Sequence, residues 1–368
     1  MLIKFEVENF KNFKDRLTLS FVKDHDYDFN EEVISRDGKI ITKSIIYGPN
    51  ESGKSNLGLA LFDIVTHLTD TSTLTNKYLW YSNLNNSDST VKFCYWFEFE
   101  GHSLVYEYKK KSLKELLMEV VTIDGNVVLE YDYIMQEGRT TLKGAETLSL
   151  SGEFFLSRVK YLFNTAILEE NEVNKTFRQF SKFVNGMLLF YSLDERGYQG
   201  FKNVSESIAE SIISKGKIKE FEQFLRDEGL NYSLVAKNVD GQKSIYCRFK
   251  NRQVSFFSVA STGTISLTLF YYWYLRMEEL SFVYIDEYDA FYHFDLALSL
   301  VGLLKKNRDC QIVLSTHNTD LLSNDLLRPD CYYEIKDGKI KSLADLTDKD
   351  IRKAHNLQKM YKAGVFNE

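Results

Sequence analysis

Residues Gly48-Pro49-Asn50-Glu51-Ser52-Gly53-Lys54-Ser55 form a G-x-x-x-x-G-K-[ST] octet between the apolar run Lys43–Tyr47 and the helically spaced Leu57, Leu61, Val65 and Leu68. The pattern leaves one local fold open, a buried strand running through a tight loop into a helix. Gly48 and Gly53 let the backbone curl so that successive N–H groups converge on one point. The helix that starts near Ser55 adds the positive end of its dipole. Such a cradle suits an oligophosphate, and ATP with Mg²⁺ is the expected ligand pair. Lys54 is placed to reach the β- and γ-phosphates and the Ser55 hydroxyl to ligate the metal, with Asn56 completing the nucleotide-contacting set.

Three further constellations follow downstream. Phe282-Val283-Tyr284-Ile285 reads as a buried strand ending on Asp286 and Glu287. Asp286 suits the metal shell and Glu287 the polarisation of an attacking water. A second buried strand, Gln311–Ser315, runs into Thr316-His317-Asn318, which puts His317 where a γ-phosphate sensor would stand. Earlier, Ser261-Thr262-Gly263-Thr264 opens a helix. Small polar residues there are ordinary caps; their amides can equally receive a phosphate.

The order of these motifs resembles ABC-type P-loop ATPases, in particular the branch holding chromosome-maintenance heads, RecF and the overcoming-lysogenization-defect ATPases. The opening Ile3-Lys4-Phe5-Glu6-Val7-Glu8-Asn9-Phe10-Lys11-Asn12-Phe13 is similar to the first strand of that branch. The resemblance implies an α/β ATPase head with a mixed P-loop sheet, an antiparallel β subdomain and a helical insertion, which dimerises head to tail around two ATP molecules. By position it makes Ser261, Gly263 and Thr264 a signature acting in trans on the partner's nucleotide, and puts Asp289 in a loop that touches the partner. Glu287, His317 and Lys54 become the catalytic set, and Ser55 and Asp286 the metal ligands. The chain departs from the pattern in lacking an evident glutamine loop, Gln136 being a poor candidate, and in lacking long coiled-coil heptads.

Residues 1–141 read as the N-terminal part of the head, with alternating strands from Val91 to about Thr141. Residues 142–230, free of proline, read as a helical insertion, and 231–368 as the rest of the head. Lys109-Lys110-Lys111 reads as a solvated turn. After Asp345 the tail reads as a docked helix, with effector binding as its alternative. Composition is that of an ordinary globular chain, 44% hydrophobic and 27% charged, and the net charge of -6 gives no global basic footprint. A local basic patch stays compatible with nucleic acid. Cys94, Cys247, Cys310 and Cys331 are too scattered for a metal or redox motif, and no apolar run is long enough to cross a bilayer. A cytoplasmic location without membrane contact is the expectation.

The combination looks most like stand-alone ATPase subunits of bacterial antiphage, abortive-infection systems. That implies a homodimer or higher homo-oligomer whose ATP cycle controls a separately encoded effector, such as a toxic nuclease. The alternative is a RecF-like DNA-binding ATPase in recombination or repair.

Overall fold

The computed structural model describes residues 1–71, 75–146, 148–150, 156–191, 198–200, 207–239, 241–290 and 292–366. The chain opens on β1 (Leu2–Glu8) and β2 (Leu17–Ser20), then β3 (Lys43–Tyr47) runs through the octet into α1 (Lys54–Leu61) and α2 (Asp63–Leu68). Antiparallel strands β4 (Val91–Phe99), β5 (His102–Ser112), β6 (Glu115–Ile123), β7 (Asn126–Asp132) and β8 (Glu137–Thr140) follow. Next come α3 (Arg158–Thr165), α4 (Glu172–Asn185), β9 (Met187–Tyr191), β10 (Tyr198–Gly200), α5 (Ile208–Ser214) and α6 (Ile218–Asp227). Strands β11 (Leu234–Val239), β12 (Gln242–Arg248) and β13 (Gln253–Ser255) and the short α7 (Phe256–Val259) lead to α8 (Thr262–Tyr274). The last third holds β14 (Phe282–Asp286), α9 (Phe294–Leu304), β15 (Gln311–Thr316), β16 (Tyr332–Lys336), β17 (Lys339–Ser342) and α10 (Leu357–Lys362).

Among the described residues these strands form three sheets. The outer one, ordered β2-β1-β4-β5-β6-β7-β8, is antiparallel throughout. One face of β4 is buried and carries Phe93, Tyr95, Phe97 and Phe99 at period two. Phe97 meets Phe180 and Phe183 of α4 at 5.2 Å between ring centres, so truncating it to Ala should cost about 3–5 kcal/mol.

The central sheet is ordered β10-β9-β14-β15-β3-β16-β17, and its strands from β9 to β16 run parallel. Covered on both faces, β3 and β15 are buried at every position, which is why they read as continuous apolar runs rather than alternating ones. Gly58 lets α1 lie close on this sheet: a Cβ there would come within 3.0 Å of the Tyr284 ring. All the parallel strands point their C-terminal ends the same way. The octet, the two acids and His317 therefore gather at one edge, with β15 lying between the octet strand and the acidic strand.

Two sequence expectations are corrected here. The stretch 142–230 is not wholly helical, because β9 inserts beside β14 and β10 pairs with β9 at the sheet edge. Its residues 147, 151–155, 192–197 and 201–206 lie outside the described set. Lys109-Lys110-Lys111 is no turn but part of β5, whose alternation sends Lys110 inward. Lys110 is fully buried, with Nζ 2.7 Å from Asp63 Oδ1. The helix that Ser261–Thr264 opens starts at Thr262 and ends at Tyr274.

A second hydrophobic cluster joins α5, α6, β11, β12, α7 and α8 through residues such as Phe221, Leu225, Ile245, Phe256 and Leu267. The helix that carries the proposed signature thus bridges the two cores, giving Leu267 and Tyr271 to this cluster and Leu269, Tyr272 and Trp273 to the main one. The tail docks through buried Leu343, Leu346, Ile351 and Leu357, and α10 is its helix. Among the described residues no helix is long and apolar enough to cross a membrane.

Candidate active site

The octet is held from three sides. Gly53 caps α1 with φ of 105°, a left-handed value that a side chain resists, and a Cβ there would meet Asn12 Nδ2 at 2.3 Å. A Cβ on Gly48 would fall 2.7 Å from the carbonyl oxygen of Ile335, so β16 closes the back of the loop. In front, Asn12 Nδ2 donates to Ser52 O at 3.3 Å and Asn56 Nδ2 donates to Asn12 Oδ1 at 2.8 Å. Asn56 is thus turned toward the β1–β2 turn. Pro49, Asn50, Glu51 and Ser55 are exposed, and Ser52 is half-buried.

Lys54 is buried, and its ammonium donates to Gly48 O at 2.9 Å and Pro49 O at 3.3 Å, inside the curve of the loop. The hydroxyl of Tyr284 donates to Lys54 O at 2.7 Å, which ties the acidic strand to the first residue of α1.

The acids are tied to β15 through one serine. Ser315 Oγ donates to Asp286 Oδ1 at 2.6 Å and accepts from the Glu287 amide at 3.0 Å. Burial raises the Asp286 carboxyl above its ordinary value, while hydrogen bonds from Ser315 and Ser55 pull the other way. A carboxylate kept from water beside the Ser55 hydroxyl is a site that a cation relieves. Two hard oxygen donors fit Mg²⁺, which takes its remaining ligands from water and phosphate oxygens. Consistent with that division, no group of three or more His, Cys, Asp or Glu forms a metal cage among the described residues.

Glu287 has φ of 48°, a conformation that costs a side-chain-bearing residue about 1–2 kcal/mol. In it the Glu287 carboxylate lies between two partners, with Oε1 3.6 Å from Lys54 Nζ and Oε2 3.0 Å from His317 Nδ1. His317 is mostly exposed and faces the same opening. Beside it, Thr316 Oγ1 donates to Asp289 Oδ1 at 2.7 Å, which fixes the loop after the acids.

The remaining expected residues stand apart. Ser261 caps α8, its Oγ accepting from Thr264 N at 3.2 Å and lying 2.9 Å from Thr264 Oγ1. Among the described residues no hydrogen bond or ion pair joins Ser261, Gly263 or Thr264 to the octet, the acids or His317. Gln136 sits exposed in the β7–β8 turn. Sequence reasoning missed Asn12, Tyr284, Ser315 and Tyr191. Tyr191 ends β9 in register with Asp286, and its buried hydroxyl has no hydrogen-bond partner among the described residues. Polar endings of otherwise apolar strands signal Ser315 and Tyr191; nothing in the local pattern signals Asn12 or Tyr284.

A family profile described as "AAA domain, putative AbiEii toxin, Type IV TA system" matches residues 43–323, which take in every motif above. No match was found among curated proteins. Among solved structures, the SMC head domain from Thermotoga maritima is 16% identical, covers 92% of this chain and 97% of its own, and has a TM-score of 0.44. The Smc head domain with an extended coiled coil bound to the C-terminal domain of ScpA, from Pyrococcus furiosus, is 13% identical over 94% of this chain and 97% of its own, at a TM-score of 0.43.

Proposed function

The chain belongs to the AAA-domain family whose profile spans residues 43–323, and on that premise we propose that it is a slow, Mg²⁺-dependent ATPase whose cycle switches a separate effector. The observation that carries the reading is Glu287, the residue after Asp286, held between Lys54 and His317 at the mouth of the octet. Lys54 and the amides of the loop hold the β- and γ-phosphates. Ser55 and Asp286 hold the metal, which when bound neutralises charge on the transferring phosphate. Glu287 orients and deprotonates the attacking water, and His317 steadies the Glu287 carboxylate and reads the γ-phosphate.

The signature stands outside this constellation, at the N-terminal end of α8, which supports a site completed by a second copy. In that arrangement Ser261, Gly263 and Thr264 present the N-terminal end of α8 to the partner's γ-phosphate. Hydrolysis is then slow because the dimer must close before Glu287 can act. A closed dimer is a different surface from an open monomer, and an effector that prefers one of them is switched by the cycle. The family's description names a toxin–antitoxin system; the separately encoded effector, with a nuclease as the expected class, is our own proposal.

The test is paired. Glu287→Gln should bind ATP, sediment as a dimer and retain the product of an adjacent gene in a pull-down; Lys54→Ala should lose ATP and retain that partner poorly. ATP-independent recovery, or none, would sink the switch. The second reading, a DNA-binding recombination ATPase, is favoured if duplex DNA rather than a protein is held by the ATP-bound form.

A further inference from the structure

In a chain of net charge -6, the stretch from Lys237 to Arg252 carries Lys237, Lys243, Arg248, Lys250 and Arg252 against the single acid Asp240, itself outside the described residues. All five cations are exposed. Neighbouring α6 and the turn before it pair theirs, Lys217 with Glu220 and Lys219 and Arg226 with Glu222. The five on the small sheet make no ion pair among the described residues; Lys237 alone meets a ring, with Nζ 4.6 Å from the centre of Tyr246.

Register decides where they point. Leu234, Ile245 and Cys247 are buried against the second core, so the alternate positions Val235, Lys237, Ser244, Tyr246 and Arg248 share the outer face, whereas Lys243, opposite Asn238, lies on the other one. The β12–β13 turn adds Lys250, Arg252 and Phe249, whose amide donates to Arg252 O at 2.8 Å. Phe249 is 52% exposed, and among the described residues no other ring stacks on it.

Lysines on a small sheet often serve only to keep an edge strand from pairing with other chains. That does not account for Arg248, which lies on β12, the central strand of the order β11-β12-β13. Clustered cations left without counter-charge repel one another, and a polyanion relieves that repulsion by releasing its own counterions. An exposed ring among them adds a face for an unstacked base. A duplex hides its base faces, so the ring selects a single strand.

We propose that the outer face of β11, β12 and β13, with the Arg248–Arg252 turn, binds single-stranded nucleic acid. The cations track the phosphates and Phe249 stacks on a base. This surface is separate from the octet and does not depend on the ATPase reading.

The test is fluorescence anisotropy of the full chain with a labelled oligothymidylate and with a duplex of equal length, across a salt series starting at about 50 mM. The single strand should bind about ten-fold tighter than the duplex or better, as stacking on one ring allows. Log affinity should fall against log salt with a slope near −0.7 per phosphate contact. The triple variant Arg248→Gln/Lys250→Gln/Arg252→Gln should flatten that slope by about 2. Phe249→Ala should weaken binding about five-fold or more and leave the slope unchanged. Unaltered ATP binding by both variants shows that they are folded. The proposal fails if the parent binds no oligonucleotide at low salt, if the duplex binds as tightly, or if the triple variant matches the parent. It fails equally if the charge changes alter only sedimentation, which would make the face a contact between copies.

Discussion

His317 Nδ1 lies 3.0 Å from Glu287 Oε2, although the two residues come from the ends of different strands. The contact joins the proposed water-activating carboxylate to the proposed phosphate sensor. Glu287→Gln should lower kcat about 10²–10⁴-fold with ATP affinity preserved. His317→Ala leaves the base in place but unsteadied, so its smaller fall should appear in kcat rather than in KM. Single-turnover hydrolysis beside equilibrium ATP binding separates the two. Equal loss of binding in both variants would mean that the pair builds the pocket rather than the reaction.

Tyr191 offers a subtler test. Its buried hydroxyl lacks a partner among the described residues and stands in register with Asp286, on the α1 face of the sheet. Tyr191→Phe should leave Mg²⁺-free nucleotide affinity intact and reduce the tightening that Mg²⁺ brings about ten-fold, the usual loss for a hydrogen bond to a charged group. Titrating a fluorescent ATP analogue with and without Mg²⁺ measures that ratio. An unchanged ratio makes Tyr191 a piece of the wall.

The signature is testable by mixing. Gly263→Asp puts a carboxylate where a partner's γ-phosphate must approach, so this variant should bind ATP and fail to turn it over. Combined with Lys54→Ala it should regain about one working site per heterodimer, because one composite site keeps both intact halves. Silence from demonstrated heterodimers would argue for a site complete within one chain.

The helix that follows the octet helix is anchored through a buried network. Asp63 of α2 accepts from Lys110 Nζ at 2.7 Å, Tyr81 at 2.7 Å and Tyr108 at 2.9 Å, with both charged groups fully buried. Burial, aided by Lys110, lowers the His67 pKa well below its usual value and keeps that ring neutral beside Tyr106. Lys110→Met strands the Asp63 charge and should destabilise the chain by about 3–5 kcal/mol. Asp63→Asn added to it should recover part of the loss. Urea unfolding of the parent, single and double variants decides, and a double variant no better than the single would deny the pairing.

Alkaline pH should favour the fold through Lys43. Burial lowers its ammonium from 10.5 to about 8, while Nζ donates to Cys310 O at 2.7 Å. Below pH 8 the folded and unfolded chains both hold the proton, so the desolvation penalty is fully present. Between 8 and 10.5 the unfolded chain holds a proton that the folded chain has lost, and the penalty fades as pH rises. Relative to Lys43→Met, the parent's unfolding free energy should therefore climb through that window. A flat difference would show the group titrating normally.

The sequence by itself determined the octet, the paired acids after an apolar strand, the histidine after the next, and the alternating β region, because each is written in contiguous residues whose spacing dictates local geometry. Tertiary structure decided the rest. Met187–Tyr191 becomes a parallel strand only because Phe282–Asp286 lies beside it, and no local period tells such a buried run from a helix. Lys110 looked solvated until Asp63 met it from a helix packed across the sheet. Ser315, Tyr284 and Asn12 reach the site through partners between 28 and 230 positions away. Contacts of that range depend on strand order and register, which a local pattern does not encode.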